Sequence, residues 1–167
     1  MRASSIAVAA ALAVTCMATS LQGQKAAPPI DPKSLQFLAE ARAAQAAGHL
    51  DGASDLLETA LALDPRNVAA MVTLGDVARA RGLPGSAVRH YREALLLDPA
   101  DTAALRGQGE ALVDKGAVHL AEANLARIKA LCKAAACPDA APLAAAIAKG
   151  PPVATAQVVK PATPPSP

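Results

Sequence analysis

The chain has 167 residues, with 16 basic and 14 acidic side chains, one phenylalanine, one tyrosine and no tryptophan. This length permits one domain of ordinary size or a short array of small repeated units. The charge is nearly balanced and the basic residues are scattered, so no basic patch or aromatic stacking surface points to nucleic acid. Alanine supplies much of the 53% hydrophobic content and is the strongest helix former, so we predict an all-α chain.

Residues 1–20 have the pattern of a cleaved export signal. Arg2 supplies a positive start, the run IAVAAALAV is apolar and uncharged, and small residues near Ala18 and Ser20 offer cleavage points. The apolar run is shorter than the roughly 20 residues that cross a bilayer. We therefore expect a periplasmic or secreted protein, with residues 21–33 forming an extended linker because each X-Pro pair disfavours helix.

Cys16 keeps a second interpretation of this segment open. It follows the apolar run as a lipidated cysteine would, although Thr15 stands where lipoprotein signals have Gly, Ala or Ser. If Cys16 is lipidated, the protein is held at a membrane. Otherwise the cysteine is discarded with the signal, and no contact with a membrane is expected.

The middle of the chain repeats itself at a step of 34 residues, the distance from Asp64-Pro65 to Asp98-Pro99. Self-similarity at a fixed period of this size indicates a repeat architecture. The step aligns five columns of similar residues: Gly48, Gly82 and Gly116; Ala53, Ala87 and Ala121; Leu57, Tyr91 and Leu125; Ala60, Ala94 and Ile128; Leu63, Leu97 and Leu131.

Each column has a structural reason. A glycine that follows an apolar-periodic helix can take the left-handed conformation and turn one helix back on the next. The alanines let the two helices of a hairpin approach closely, while the leucines and Tyr91 fill the space between hairpins. Asp-Pro ends the second helix, since the residue before proline avoids the α region, and Asn67 or Asp101 can cap the next helix.

These columns resemble the tetratricopeptide repeat, which combines a 34-residue period with Leu-Gly in the first helix, alanine and an aromatic residue in the second, and a closing proline. The resemblance implies a right-handed α-solenoid of three helix-turn-helix repeats, at residues 34–67, 68–101 and 102–135. The outer repeats are the more degenerate ones, as terminal repeats often are. The middle repeat carries the pattern most completely, in Leu74-Gly75, Gly82, Ala87, Tyr91, Ala94 and Pro99.

A capping helix is predicted over residues 136–149, after the third repeat. Asp139 is a candidate N-cap, and Leu143 and Ile147 lie four residues apart, on one face of the helix. Residues 150–167 carry six prolines and almost no charge. We predict that this tail is disordered or polyproline-like.

Cys132 and Cys137 replace the Asp-Pro stop of the third repeat. On one continuous helix their side chains would point about 140° apart, so a bond between them requires the helix to end in that interval. No C-x-x-C, haem-attachment or zinc-ligand pattern competes. In an oxidising compartment we predict a disulfide that ties the last repeat to the capping helix.

In the tetratricopeptide family the first helix of every repeat lines a concave groove, and the resemblance carries that role to three columns here. They are expected to face a protein or peptide partner that carries apolar and charged groups, with Arg42, Arg79 and Arg106 facing solvent. In the alternative interpretation Arg42 with Asp76, or Arg106 with Glu110, form mutual surface pairs. The groove columns are Leu38, Val72 and Arg106; Arg42, Asp76 and Glu110; Gln45, Arg79 and Val113.

No catalytic signature is present. The chain has no phosphate-binding glycine loop and no nucleophile elbow, and its three histidines fall in different repeat columns. We therefore predict a non-enzyme without cofactor or metal: a cell-envelope scaffold that binds a protein or peptide in its groove. The alternative is a lipid-anchored structural subunit of an envelope or outer-membrane assembly, and the chemistry of the mature N-terminus separates the two.

Overall fold

The structure is a computed structural model that describes residues 28–132 and 137–152. The predicted signal, Cys16 and most of the proline-rich tail lie outside the described residues. The described part contains helices and no strand, so the all-α repeat prediction is confirmed. Its seven helices are α1 (Pro32–Ala46), α2 (Leu50–Leu63), α3 (Val68–Ala80), α4 (Pro84–Leu97), α5 (Thr102–Asp114), α6 (Val118–Cys132) and α7 (Ala140–Lys149).

Three helix pairs, α1–α2, α3–α4 and α5–α6, form hairpins 1, 2 and 3. The turn of each contains a glycine of the predicted column, Gly48, Gly82 or Gly116, with φ of 79°, 72° and 78°. A Cβ built on any of the three would meet nothing within 4 Å. Glycine is needed here for its left-handed backbone and not for space.

The hairpins are separated by the expected caps. Asp64 and Asp98 have extended backbones at the ends of α2 and α4. Asn67 accepts a hydrogen bond from the backbone N–H of Ala70, and Asp101 caps α5 in the same way. Asp139 makes no such bond at the start of α7, because its carboxylate is directed to α5 instead. Asp139 thus stands at the predicted N-cap position, but its side chain does not cap the helix.

Small residues let the hairpins pack tightly around Tyr91. The alanines of the predicted column are fully buried, and so is the Tyr91 ring. This ring lies between two first helices: a Cβ on Gly75 of α3 or on Gly107 of α5 would come within 2.6 and 2.5 Å of it. In the same way, a Cβ on Gly109 would come within 2.6 Å of Leu143 of α7. Glycine at these three sites makes room for the side chain of a neighbouring helix.

The column Leu63, Leu97 and Leu131 does not fill the space between hairpins. These leucines remain 42%, 48% and 44% exposed at the ends of the second helices. They occupy the last turns of their helices, on a side that the rest of the chain leaves partly uncovered. The space between hairpins is filled instead by side chains such as Leu57 and Tyr91.

The two sides of the array differ in how closely successive hairpins approach. The first helices α1, α3 and α5 contact one another in sequence, whereas the second helices α2, α4 and α6 do not. Helix α7 packs on both α5 and α6. The array thus has an inner face formed by the first helices, called the first-helix face below, and an outer, second-helix face. None of the described helices has both the length and the apolarity needed to span a bilayer.

Candidate functional site

The predicted groove lies on the first-helix face, but its three most apolar residues are not available there. Leu38, Val72 and Val113 are buried in the hydrophobic core. Each lies on a first helix that packs against its own second helix and also against the neighbouring first helix, so a large part of its circumference is covered. The apolar side chains face those neighbours, and the polar members of the columns remain at least partly exposed, except for the buried Glu110.

Two of the predicted arginines are held in an ion network with acids of the same chain. Arg79 of α3 is paired with Glu110 of α5 and, at 3.2 Å, with Asp114. Arg106 of α5 reaches Glu110 at 3.5 Å and Asp139, beside α7, at 2.9 Å. These five residues are called the groove network, and they link α3, α5 and the start of α7.

The groove network changes what these arginines can do. The side chains of Arg79 and Arg106 are only 33% and 29% exposed, so the expectation that both face solvent freely is wrong. Burial by itself lowers the pKa of Arg79, but Glu110, Tyr91 and Asp114 together raise it on balance. The mutual pair predicted between Arg106 and Glu110 is present, because the two lie one helical turn apart.

The other predicted pair, Arg42 with Asp76, is not formed. Asp76 instead accepts a 2.6 Å hydrogen bond from the hydroxyl of Tyr91. Burial, followed by the nearby Asp76 charge, raises the pKa of Tyr91 well above its usual value, so the phenol stays protonated. Asp76 therefore anchors α4 to the first-helix face.

Arg42 and Gln45 of α1 are the predicted groove residues left most available. Arg42 is exposed and Gln45 is half-buried. Arg42 has no salt-bridge partner within residues 28–132 and 137–152. Hairpin 1 thus has, at one end of the groove, an exposed arginine that forms no salt bridge with the described residues.

The other end of the groove holds a cavity of about 330 Å³ between α3, α5 and the end of α7. Two cations, Arg79 and Lys149, and one anion, Asp114, line it. Asp114 and Lys149 belong to none of the predicted groove columns, because that cavity forms only where the capping helix ends against the array. Its lining is Arg79, Val113, Asp114, Ala146, Lys149, Gly150, Pro151 and Pro152.

Cys132 and Cys137 lie at disulfide distance. Their Cα atoms are 5.8 Å apart and their sulfur atoms are in direct contact. Helix α6 ends at Cys132, which satisfies the condition that the helix stop between the two cysteines. A bond here would join α6 to the segment that leads into α7.

The described part of the chain groups no three His, Cys, Asp or Glu side chains in a way that would hold a metal ion. Glu110, the most buried acid of the groove network, is already paired with two arginines. The polar side chains of the site form hydrogen bonds and ion pairs with one another along the first-helix face.

No family model matches this sequence, and a search of the curated proteins finds no match. Solved structures do match. The Sgt2 TPR domain from Aspergillus fumigatus is 22% identical with a TM-score of 0.65, over 84% of this chain and 98% of that one. The Yersinia enterocolitica type III secretion chaperone SycD, in complex with a peptide of the translocator YopD, is 20% identical with a TM-score of 0.61. That match covers 73% of this chain and 92% of the chaperone.

The first TPR domain of Spaghetti (RPAP3), bound to the HSP90 peptide SRMEEVD, is 18% identical with a TM-score of 0.63. It covers 70% of this chain and 91% of that chain. These likenesses define the class of structure: the chain has the tetratricopeptide-repeat fold. The resemblance predicted from the repeat columns is thereby confirmed at the level of the fold.

Proposed function

We propose that this chain is a non-catalytic scaffold that binds a protein or peptide segment along its first-helix face. The observation that carries the proposal is the continuity of this face: α1, α3 and α5 contact one another in series, and α7 closes the far end. Support comes from two structures of the same fold, SycD and RPAP3, each of which holds a peptide. Stacked repeats commonly use such an extended surface for binding.

The distribution of charge suggests where a peptide would be held. Arg42 is uncommitted at hairpin 1, while the end cavity presents Lys149 and Asp114. With first helices spaced about 8–10 Å apart, α1 lies about 20 Å from α5. An extended peptide of roughly six residues spans that distance. The proposed ligand is therefore a short segment with an acidic group toward α1 and polar or mixed charges toward the end cavity.

We further propose that the scaffold works in the cell envelope, on the basis of the export-signal pattern at residues 1–20. Mass spectrometry of the mature N-terminus tests this. Cleavage near Ala18 or Ser20 supports a soluble envelope scaffold. An acylated Cys16 supports the alternative, a lipid-anchored structural subunit, and an intact N-terminus on cytoplasmic protein contradicts both.

The binding face is tested by site-specific photo-crosslinking in the native host. A photoreactive amino acid at Gln45 should capture a partner, and R42E should weaken that capture. The matched control places the same photoreactive group at Lys129, which is exposed on the second helix of hairpin 3. Equal capture from both positions, or capture that R42E leaves unchanged, would contradict binding on the first-helix face.

Because of the groove network, charge reversal at Arg79 or Arg106 would be a poor test of binding. Reversing Arg79 or Arg106 would leave like charges beside Glu110, which is only 8% exposed, and would disturb the packing of α3 against α5. Loss of binding in those variants would not distinguish a lost contact from a disturbed fold. Arg42 is the better probe because its change leaves that network intact.

A further inference from the structure

The second-helix face carries opposite charges at matching positions of hairpins 1 and 2. Asp55 and Glu58 are exposed on α2, and Arg89 and Arg92 are exposed at the positions 34 residues later on α4. None of the four has a salt-bridge partner in the part of the chain that the structure describes. The backbones of α2 and α4 do not approach each other closely, and the four charged groups form no ion pair with one another within one copy. The Glu58 charge does lie near His90 of α4, where it favours the protonated imidazole.

An apolar side chain lies next to these charges. Leu96 is 77% exposed, more than any other large apolar residue of the described chain, and it follows Arg92 by one helical turn. The position 34 residues earlier, on α2, is Ala62, which is also exposed. Helix α4 thus presents a protruding leucine where α2 presents a small residue.

We propose that this α2–α4 face is the interface of a homodimer. The chain reverses direction at each turn between α2 and α4, so these two helices run the same way. A twofold axis parallel to them, lying just outside the face and above the midline between them, lays α2 of one copy over α4 of the other. The face is complementary to itself because its acidic and basic halves exchange places across the axis.

The repeat period brings all the complementary positions into register at once. Asp55 faces the partner's Arg89, Glu58 faces the partner's Arg92, and Ala62 receives the partner's Leu96. Each partner position lies 34 residues after its counterpart, so one alignment of the helices forms all three contacts. Twofold symmetry forms each contact twice, which gives four ion pairs around two buried leucines.

The area of the face indicates how tightly the two copies are expected to bind each other. Helices of 14 residues are about 21 Å long, and two of them side by side are about 20 Å wide. The contact is then roughly 400 Å² per copy, below the roughly 800 Å² of a stable complex. The dimer is therefore reversible, with a micromolar Kd that rises with salt, because exposed charges are screened. It leaves the first-helix face free, so it does not depend on the proposed function.

The experiment is sedimentation velocity of the purified full chain over a range of micromolar concentrations, at low and high salt. The D55R/E58R variant makes all four of the paired positions basic, and R89E/R92E makes all four acidic. Each variant alone should dimerise at least about tenfold more weakly than wild type, because all four pairs become like-charged. An equimolar mixture should form a heterodimer, because opposite charges then meet at every pair.

Two further variants serve as controls. E122R/K129E reverses two exposed charges on α6, outside the proposed face, and should leave the dimer unchanged. L96A should weaken it without altering the charges. Circular dichroism checks that each variant keeps its helices, and if a double variant unfolds, the single changes E58R and R92E provide the same mixing test.

A wild-type chain that stays monomeric at every concentration overturns the proposal. So does a dimer that both charge variants leave intact, which would place the interface elsewhere. A mixture of the two variants that fails to associate overturns the proposed pairing of α2 with α4.

Discussion

The hydroxyl of Tyr91 donates a 2.6 Å hydrogen bond to the carboxylate of Asp76. The donor belongs to the second helix of hairpin 2, and the acceptor lies on the first-helix face of the same hairpin. The buried ring of Tyr91 also fills the space left by Gly75 and Gly107, so one side chain joins two hairpins and orients a groove acid.

Removing that hydroxyl with Y91F should lower the free energy of unfolding by about 1–2 kcal/mol. A hydrogen bond to a charged acceptor contributes about this much, and Asp76 is solvated enough to avoid a larger penalty. Urea denaturation measures the change. D76N should cost less, because the asparagine oxygen still accepts the bond, and a larger loss for D76N than for Y91F would contradict this account.

The close approach of Tyr91 to Gly75 and Gly107 predicts that an added methyl group will not fit. G75A and G107A place a Cβ within 2.6 and 2.5 Å of the ring, so each should destabilise by about 1–3 kcal/mol. G52A and G85A are the matched controls, since nothing lies within 4 Å of a Cβ there. Those two should be neutral or stabilising by roughly 0.5–1 kcal/mol through higher helix propensity, and a comparable loss in both sets would refute the steric explanation.

Arg106 is expected to hold α7 onto the array, through its 2.9 Å contact with Asp139. R106A should cost about 1–2 kcal/mol, a modest value because the pair is partly exposed to solvent. Hydrogen exchange should show faster opening of α7, with α1 and α2 unchanged, because each repeat contacts only its neighbours. K129A, on the exposed side of α6, is the control. If α7 is protected from hydrogen exchange as well in R106A as in wild type, Arg106 does not have this role.

Cys132 and Cys137 should be bridged in protein taken from an oxidising compartment. C132S or C137S should then lower the thermal stability of the last hairpin and of α7 by about 2 kcal/mol, the amount expected for so short a loop. The first two hairpins should stay helical. Non-reducing mass spectrometry provides the direct measurement, and free thiols on both residues would disprove the bridge.

Asp64 should make part of the stability depend on pH. Hydrogen bonds from the backbone N–H and the guanidinium of Arg66 hold the pKa of Asp64 below its ordinary 3.8. A lowered folded-state pKa stabilises the fold fully above the unfolded value, and this contribution is lost as pH falls through the folded value. The Tm difference between wild type and D64N should therefore be constant above about pH 5 and shrink below about pH 4. An undiminished difference at lower pH would show that the ion pair is not its source.

The hairpin plan of this protein could be predicted from its sequence because local rules specify it. Gly48, Gly82 and Gly116 turn the helices because an L side chain is strained at positive φ. Asn67 and Asp101 cap the following helices through bonds made within three residues. Each of these features depends on a short stretch of chain, so periodicity and residue type were enough.

Only the tertiary structure determined which groove residues remain available. Leu38 and Arg42 lie one turn apart on α1, yet one is buried and the other exposed, because the neighbouring helices cover only one of these positions. The pairing of Arg79 with Glu110 joins residues of successive first helices, and their approach depends on how one hairpin is rotated against the next. That rotation results from packing around side chains such as Tyr91, and no pattern within a single repeat encodes it.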